Sequence, residues 1–309
     1  MHPQTISFAD EVRRGLLTSG QKTLPTKYLY DEVGSALFDA ITALPEYGLT
    51  RADLRLLRAH SPDIARLCPD TSMLTELGSG NGSKTRALME SFPPGVVYRP
   101  IDLSVAALDR CRRECADFPV QPVEAEFLAG LETVAGSRGS GRLLVAFLGS
   151  NIGNFARSSI VPFLSEIQTR MEPGDSFLIG VDLLKSVAQL TLAYDDPAGV
   201  TAAFNRNLLS RINRQLNANF SVACFDHEAR WNSAERRMEA YLRARSDQHV
   251  TFGDVDLEVA IRAGDTIWTE SSHKFETAEI IEMAHLAGLS YVESWVDAEW
   301  PFAEILFRV

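Results

Sequence analysis

Short apolar runs alternate with longer amphipathic stretches between residues 72 and 181. The apolar runs have the length and composition of buried strands: MLTEL, VVYRPIDL, VQPVEAEF, RLLVAFLG and SFLIGVDLL. Between them lie SKTRALMESF, SVAALDRCRRECADF and SSIVPFLSEIQTRM, whose apolar positions recur with the period of a helix. This alternation predicts an α/β fold with a parallel sheet and crossover helices.

The flanking segments follow a different pattern. Residues 35–57 are helix-like around the turn LPEYGLT, and residues 197–218 form one long helical pattern. Residues 227–275 alternate like antiparallel strands, and the tail after them predicts a helix, a turn and two strands. A second, α+β region therefore flanks the parallel sheet on both sides in the sequence.

These patterns predict two interleaved domains. The α/β domain comprises residues 56–190 plus 274–309, and the α+β domain comprises residues 1–55 plus 191–273. The second domain is expected over the carboxyl ends of the parallel strands, where open α/β sheets bind ligands.

The composition is that of an ordinary soluble globular protein, with 45% hydrophobic and 23% charged residues among 309. The net charge of −11 argues against nucleic acid and against an anionic membrane surface as partners. No apolar run approaches the roughly 18 residues of a membrane span, and the first residues lack the apolar core of a secretory signal. The expected location is the cytoplasm.

The four cysteines are too few and too scattered to predict a disulfide framework or a zinc site. Cys111 and Cys115 lie four residues apart and would share a helical face, but a lone pair makes a poor metal site. We expect structural roles for these two and for Cys68 and Cys224, because free cysteine is commonly a small buried hydrophobe.

The segment TELGSGNGSKT, residues 75–85, places three glycines at alternate positions after an apolar run. A phosphate loop would need glycine at position 83, where the chain has Ser83 before Lys84-Thr85. A dinucleotide fingerprint would need its third glycine one place later than Gly82. Neither pattern fits the segment well.

The pattern that fits is Glu76-x-Gly78-x-Gly80-x-Gly82, which is typical of class I S-adenosylmethionine-dependent methyltransferases. Glycines let the loop pass close under the methionine and ribose of the cofactor. The Glu76 carboxylate is expected to favour the positive end of that cofactor.

Two later strand ends carry further acids. Asp102 ends the second predicted strand, where an acid can accept both ribose hydroxyls. The pair Glu126-Phe127 ends the third predicted strand and offers an acceptor and an apolar face to adenine. Acids at three successive strand ends favour S-adenosylmethionine as the ligand.

Six segments in this order resemble the histidine Nα-methyltransferases of ergothioneine biosynthesis, from about Lys27 to the C-terminus. They are KYLYDEVGSALFDAITALPEYGLTRAD, ELGSGNGSKT, FLGSNIGNF, AYDDPAGVTAAFNRNLL, YLRARSDQHV and TESSHKF. The resemblance implies a Rossmann-like class I methyltransferase domain with a second, α+β substrate-binding domain. It also implies trimethylation of the α-amine of L-histidine to hercynine, with S-adenosylhomocysteine as the other product and no metal.

The resemblance assigns residues to two groups. The cofactor would be surrounded by Tyr30, Phe38, Gly78, Lys84, Asp102, Glu126 and Phe127. The substrate amine and carboxylate would be held by Tyr47, Asn154 and Tyr194, with Tyr47 and Asn154 aligning the nucleophile, and the imidazole would be held by Glu270 and Ser272. The family usually has Asp where Glu126 stands, which shifts the hydrogen bond to adenine.

Two departures from the family pattern bear on the substrate. The family turn usually reads Glu-Tyr-Tyr-Pro, whereas Gly48 and Leu49 follow Tyr47 here and are expected to change the stiffness of a lid segment. Ala240 occupies a place where the family commonly has methionine in the side-chain pocket. The larger pocket could admit tryptophan or a modified histidine, although Glu270 favours an imidazole.

Each site residue also has a plainer interpretation. Tyr47 could be packing, Asn154 could cap the helix that follows it, and Glu270 could pair with Lys274 on an exposed strand. His273 has no spacing that supports a role as a base. A methyltransferase for another small amine, or a silent binding protein of the same fold, are the alternatives. Because all proposed site residues lie on one chain, we expect a monomer.

Overall fold

The computed structural model describes residues 7–253 and 257–309. These residues form two compact units. The central unit comprises residues 48–185 and 273–309, and the N-terminal unit comprises residues 7–47 and 186–272 apart from 254–256. No helix in the described ranges is long and apolar enough to cross a membrane.

The central unit is built on a seven-stranded sheet in the order β12-β13-β6-β5-β2-β3-β4. Strands β2 to β6 run parallel, and β13 is antiparallel to both β6 and β12. The predicted α/β fold with a parallel sheet is confirmed. The strands are β2 (Thr71–Leu77), β3 (Val97–Asp102), β4 (Val123–Glu124), β5 (Arg142–Phe147), β6 (Ser176–Asp182), β12 (Ser290–Val296) and β13 (Phe302–Arg308).

Helices and two apolar clusters cover this sheet. Every residue of β6 is buried, as expected for a strand that is covered on both faces. One cluster includes Phe147, Phe177 and Phe307, and the other includes Tyr98 and the three buried cysteines. The helices are α3 (Leu49–Leu67), α4 (Ser83–Met89), α5 (Val105–Glu114), α6 (Phe127–Ser137), α7 (Arg157–Gln168) and α10 (Thr277–Leu286).

The N-terminal unit combines helices with a four-stranded sheet in the order β1-β11-β8-β7 and a separate pair of strands, β9 and β10. Its helices are α1 (Phe8–Leu16), α2 (Glu32–Thr42), α8 (Val187–Tyr194) and α9 (Val200–Leu216). Its strands are β1 (Lys22–Thr23), β7 (Phe225–Asn232), β8 (Arg237–Ala244), β9 (Gln248–Phe252), β10 (Leu257–Ile261) and β11 (Thr266–His273).

Side-chain caps explain where several helices begin. Asp196 accepts hydrogen bonds from the backbone N–H groups of Val200 and Thr201 at 3.0 and 2.7 Å, so it stabilises the first turn of α9. The long helix predicted over residues 197–218 is confirmed as α9. Ser104 caps α5 in the same way by accepting from Ala107 N–H at 3.2 Å.

Several elements differ from the sequence patterns. The predicted strand VQPVEAEF contains only the two residues of β4, and Phe127 begins helix α6 instead of ending a strand. Helices α6 and α8 were not predicted. Helix α6 is rich in alanine, glycine and apolar residues, and α8 is rich in alanine and apolar residues, so the contrast between a polar and an apolar face is weak.

Candidate functional site

The three glycines of the loop after β2 all have positive φ, at +76, +53 and +78° for Gly78, Gly80 and Gly82. Gly80 has open space around it, so only its backbone angle requires glycine. At Gly82 an added Cβ would lie 2.6 Å from Cys111 Sγ. Cys111 is buried and packs against this loop, which agrees with the structural role predicted for it.

Asp102 fixes the loop from the end of β3. Its Oδ2 accepts from Gly80 N–H at 3.1 Å, and its Oδ1 accepts from Ser104 N–H at 2.9 Å. Burial raises the pKa of this carboxyl, and the backbone N–H donors oppose that rise. A carboxylate has about four lone-pair sites, so each oxygen retains capacity for a hydroxyl group.

Phe127 lies directly beside the loop. A Cβ on Gly78 would be 3.2 Å from Phe127 Cε1 and 3.2 Å from Asn151 Nδ2, so the missing side chain leaves a narrow space there. The Phe127 ring is fixed by edge-on packing against Phe147, at 5.4 Å between centroids. The exposed Glu126 precedes it at the start of α6.

The Glu76 carboxyl points into the core of the central unit. It is 0% exposed, and its Oε2 accepts from the Thr85 hydroxyl at 2.5 Å and the Tyr98 hydroxyl at 2.7 Å. Burial raises its pKa to about 7. Glu76 thus joins β2, α4 and β3, and the expectation that its carboxylate directly favours the positive end of a ligand is wrong.

Lys84 follows the glycine loop, in the first turn of α4. Its Nζ lies 3.4 Å from Oδ2 of Asp53, an acid of α3 that is 0% exposed. Glu304 of β13 is also buried and acts electrostatically on the same pair. Neither acid was predicted, although Asp53 occupies the apolar stripe of α3 and Glu304 interrupts an apolar strand.

Asn154 ends a short 3₁₀ helix, residues 151–154, that follows β5. Helix α7 begins at Arg157 with Ala156 as its N-cap residue and no side-chain cap, so the alternative that Asn154 caps this helix is wrong. His273 is 1% exposed, and its Nδ1 donates to Gly153 O at 3.0 Å. His273 therefore supports the backbone before Asn154.

The N-terminal unit contains an aromatic cluster made of Tyr30, Phe38, Tyr47, Tyr194 and Phe204. Centroid distances between neighbouring rings are 5.4 Å for Tyr30–Phe38, 6.2 Å for Phe38–Tyr47 and 6.5 Å for Tyr47–Tyr194. Phe204 of α9 packs on Tyr30 at 5.4 Å and was not predicted. Four residues assigned separately to cofactor and substrate thus share one cluster.

Tyr194 and Ser272 are joined by a hydrogen bond. The Tyr194 hydroxyl donates to Ser272 Oγ at 2.7 Å. His227 of β7 fixes the end of α8, because its Nε2 donates to Tyr194 O at 2.8 Å while its Nδ1 accepts from Asn205 at 2.9 Å. Burial lowers the pKa of His227, which keeps this ring neutral.

Glu270 faces the same cluster. Burial raises the pKa of the Tyr30 hydroxyl well above its usual range, and the Glu270 carboxylate raises it further. Tyr30 therefore stays protonated and can donate a hydrogen bond. Lys274 is buried and pairs with Asp182 at 2.8 Å. It is therefore not the exposed partner that the plainer interpretation assigned to Glu270.

Ala240 is 5% exposed and lies in β8. Leu242 lies two residues after Ala240 and therefore on the same face of β8. It is paired in register with His227, and the His227 ring forms a hydrogen bond with Asn205 of α9. Ala240 consequently faces the side of the sheet that α9 covers. The enlargement of a substrate pocket by this small side chain stays a prediction.

Gly48 and Leu49 are fixed by packing. Gly48 precedes α3, and a Cβ on it would lie 2.2 Å from Cε3 of the Trp300 indole. Leu49 is 4% exposed. Glycine is therefore required at position 48 for close approach to Trp300, which is a different reason from the change in lid stiffness that the sequence suggested.

The predicted site residues divide between the units. The central unit holds Gly78, Lys84, Asp102, Glu126, Phe127 and Asn154, and the N-terminal unit holds Tyr30, Phe38, Tyr47, Tyr194, Ala240, Glu270 and Ser272. In the described ranges no group of three or more His, Cys, Asp or Glu side chains has the arrangement of a metal site. The assignments of the predicted site residues to cofactor or substrate stay predictions.

Comparisons with known proteins identify a family model that matches this chain and several related proteins. A family model for "Histidine-specific methyltransferase, SAM-dependent" matches residues 8–309. The histidine N-alpha-methyltransferase of Mycolicibacterium smegmatis is 43% identical over 96% of this chain and 94% of that protein. That of Mycobacterium tuberculosis is 44% identical over 94% of this chain and 92% of that protein. Ergothioneine biosynthesis protein 1 of Neurospora crassa is 31% identical over 89% of this chain and 32% of that protein.

Proposed function

The chain belongs to the family of S-adenosylmethionine-dependent, histidine-specific methyltransferases, and we propose that it trimethylates the α-amine of L-histidine to hercynine. The observation that carries this proposal is the grouping of Tyr47, Tyr194, Glu270 and Ser272 in the N-terminal unit. This grouping provides aromatic faces, hydroxyl groups and one carboxylate for an amino acid with a polar ring.

The central unit fits S-adenosylmethionine as its cofactor. Asp102 retains lone pairs for a ribose diol, and the space left by Gly78 beside the Phe127 ring suits a flat base or a thioether. Lys84 supplies a cation for a carboxylate group. S-adenosylmethionine would supply an activated methyl group on its sulfonium, and Gly78, Lys84, Asp102, Glu126 and Phe127 would hold it.

Methyl transfer is an in-line displacement, so the chain's own task is to align a neutral amine and exclude water. An ordinary α-amino pKa of about 8 leaves a neutral fraction near neutral pH. Tyr47 and Asn154 can orient the amine without adding a charge beside it. The first two transfers are each followed by loss of a proton, and the third leaves a quaternary ammonium.

The aromatic cluster suits that product. Aromatic faces attract quaternary ammonium groups through the ring quadrupole, and the rings of Tyr47 and Tyr194 are held 6.5 Å apart at 65°. Glu270 can accept an imidazole N–H and favour one tautomer or the imidazolium. A site that hydrogen-bonds a polar ring discriminates strongly against analogues that lack the matching donor.

The second candidate substrate is tryptophan, which is favoured by one observation, the small buried side chain of Ala240. Histidine and tryptophan should be incubated separately with the protein and S-adenosylmethionine and analysed by mass spectrometry. We expect histidine to gain up to three methyl groups and tryptophan none. Methylation of tryptophan alone, abolished in Ala240→Met, would make tryptophan the substrate. No transfer to either would overturn both.

The remaining parts of the proposal concern the setting of the enzyme. We propose a small-molecule substrate, a cytoplasmic location, and action as a monomer without metal or nucleic acid. Sedimentation at several protein concentrations tests the oligomeric state, and activity in the presence of a strong chelator tests the independence from metal.

A further inference from the structure

Three buried acids lie around one lysine beneath the glycine loop of the central unit. Asp53 and Glu76 are 0% exposed and Glu304 is 1% exposed, and Lys84 acts electrostatically on Glu76 and Glu304. Three ionised carboxylates around a single ammonium would leave uncompensated negative charge in the core. Because such charge is costly to bury, the cluster must hold protons.

Asp53 is the acid that pairs directly with Lys84. Its Oδ2 accepts from Gly149 N–H at 2.9 Å and lies 3.4 Å from Lys84 Nζ. Gly149 follows β5 with φ +71°, and a Cβ there would be 2.5 Å from Lys84 Nζ. The ammonium is therefore held between the Asp53 carboxylate and bare glycine backbone.

Glu304 of β13 interacts electrostatically with Asp53. It is paired with Gly180 across β13 and β6, and a Cβ on Gly180 would be 2.7 Å from Glu304 Oε1. Asp53 Oδ1 and both Glu304 oxygens are buried without a hydrogen-bond donor in the described part of the chain. Burial and the Asp53 carboxylate raise the pKa of Glu304 well above its usual range. Glu304 is therefore protonated and can donate to Asp53.

The position of Lys84 is where open α/β sheets bind ligands. Strands β2 and β5 are neighbours in the sheet, while the chain continues from β2 to β3 on one side and from β5 to β6 on the other. The crevice at such a point, at the carboxyl ends of the strands, is the usual ligand site. The Lys84 side chain is 19% exposed, so part of it remains accessible.

We propose that Asp53, supported by Glu304, is a positioning residue that places the Lys84 ammonium for the methionyl carboxylate of S-adenosylmethionine. The carboxylate is the only anionic group of that cofactor. The inference rests on the cofactor part of the proposed function and adds two residues of this chain to it.

The test compares two ligands. S-adenosylhomocysteine has the methionyl-type carboxylate, whereas 5′-methylthioadenosine has the same adenosine and sulfur without the amino acid. We expect Asp53→Asn to weaken binding of S-adenosylhomocysteine by roughly tenfold, the lower end of the range for one hydrogen bond to a charged group. Binding of 5′-methylthioadenosine, measured by calorimetry, should stay within about twofold and shows that the variant is folded.

A double-mutant cycle identifies the route of the effect. If Asp53 acts through Lys84, Asp53→Asn should cause no further loss of S-adenosylhomocysteine affinity when Lys84→Met is already present. Glu304→Gln keeps a donor toward Asp53 and should retain affinity within about threefold. Glu304→Leu removes the donor and should weaken S-adenosylhomocysteine about as much as Asp53→Asn does.

Several results would overturn the inference. Equal weakening of both ligands would show a general structural role for Asp53, and tighter binding of S-adenosylhomocysteine would show that Asp53 competes with the cofactor. Additive losses in the cycle, or no loss at all, would exclude action through Lys84. If the unsubstituted chain bound 5′-methylthioadenosine but not S-adenosylhomocysteine, the inference about Asp53 would be refuted and the proposed cofactor would not. If it bound neither, the proposed cofactor would fail as well.

Discussion

Glu76→Gln should change how the stability of the protein depends on pH. The Glu76 carboxyl is fully buried and accepts hydrogen bonds from Thr85 and Tyr98. Glutamine has almost the same shape but cannot ionise. Comparison of the two proteins therefore isolates the cost of ionising a carboxyl group at this position.

The magnitude follows from the pKa in the folded state. Burial, opposed by Lys84 and by the two hydroxyl groups, raises the pKa of Glu76 from an ordinary 4.5 to about 7, which corresponds to about 3 kcal/mol. Because the folded state binds this proton more tightly than the unfolded state, the stabilisation is fully present below pH 4.5. It is lost as the pH rises through about 7.

The assay is urea denaturation of both proteins at several pH values between 4.5 and 8. The free energy of unfolding of the wild type minus that of Glu76→Gln should fall by about 3 kcal/mol between pH 4.5 and pH 7, and then level off. Taking the difference removes other titrating groups except those that interact with Glu76, among them Asp53, Lys84 and Glu304. Glu132→Gln makes the same chemical change at an exposed position and serves as the matched control.

A difference that stays constant across this range would refute the reasoning, since it would mean that Glu76 ionises as easily in the folded protein as in the unfolded chain. A difference that rises with pH would mean that folding lowers the pKa of Glu76 instead of raising it. It would show that Lys84 and the hydroxyl donors outweigh the cost of burial.

Four further outcomes test the packing and the residues proposed for substrate and cofactor. Gly48→Ala should destabilise the protein by about 1–3 kcal/mol in urea denaturation, because its Cβ would overlap Trp300, whereas Gly20→Ala has open space and should change stability by less than about 0.5 kcal/mol. Glu270→Ala should lower kcat/KM for histidine by roughly 10- to 100-fold and leave KM for S-adenosylmethionine almost unchanged; equal losses for both would count against an imidazole partner. Tyr194→Phe removes the hydroxyl bonded to Ser272 and should raise KM for histidine by roughly 2- to 10-fold, and an unchanged KM would separate this hydrogen bond from substrate binding. Asp102→Ala should weaken S-adenosylhomocysteine binding by roughly tenfold or more in calorimetry, and unchanged affinity would contradict the ribose assignment.

The sequence by itself determined the parallel sheet and the glycine loop. Both are local signals: apolar runs of strand length alternate with helical periodicity, and glycines with positive φ were identified from their spacing alone. The order of acids along the chain was enough to locate Asp102 at a strand end facing that loop. The family motifs, spread from Lys27 to the C-terminus, were enough to identify the relatives.

Only the tertiary structure decided which polar groups are buried and what they contact. Glu76 appeared to be a loop acid, but packing of β2, α4 and β3 places its carboxyl in the core. Asp53 and Glu304 stand in apolar patterns 251 positions apart, and no local rule pairs them. Gly48 is required because Trp300, from the far end of the chain, packs against it. Periodicity reports which face of an element is buried, whereas hydrogen bonds, burial of charge and close packing depend on residues that only folding brings together.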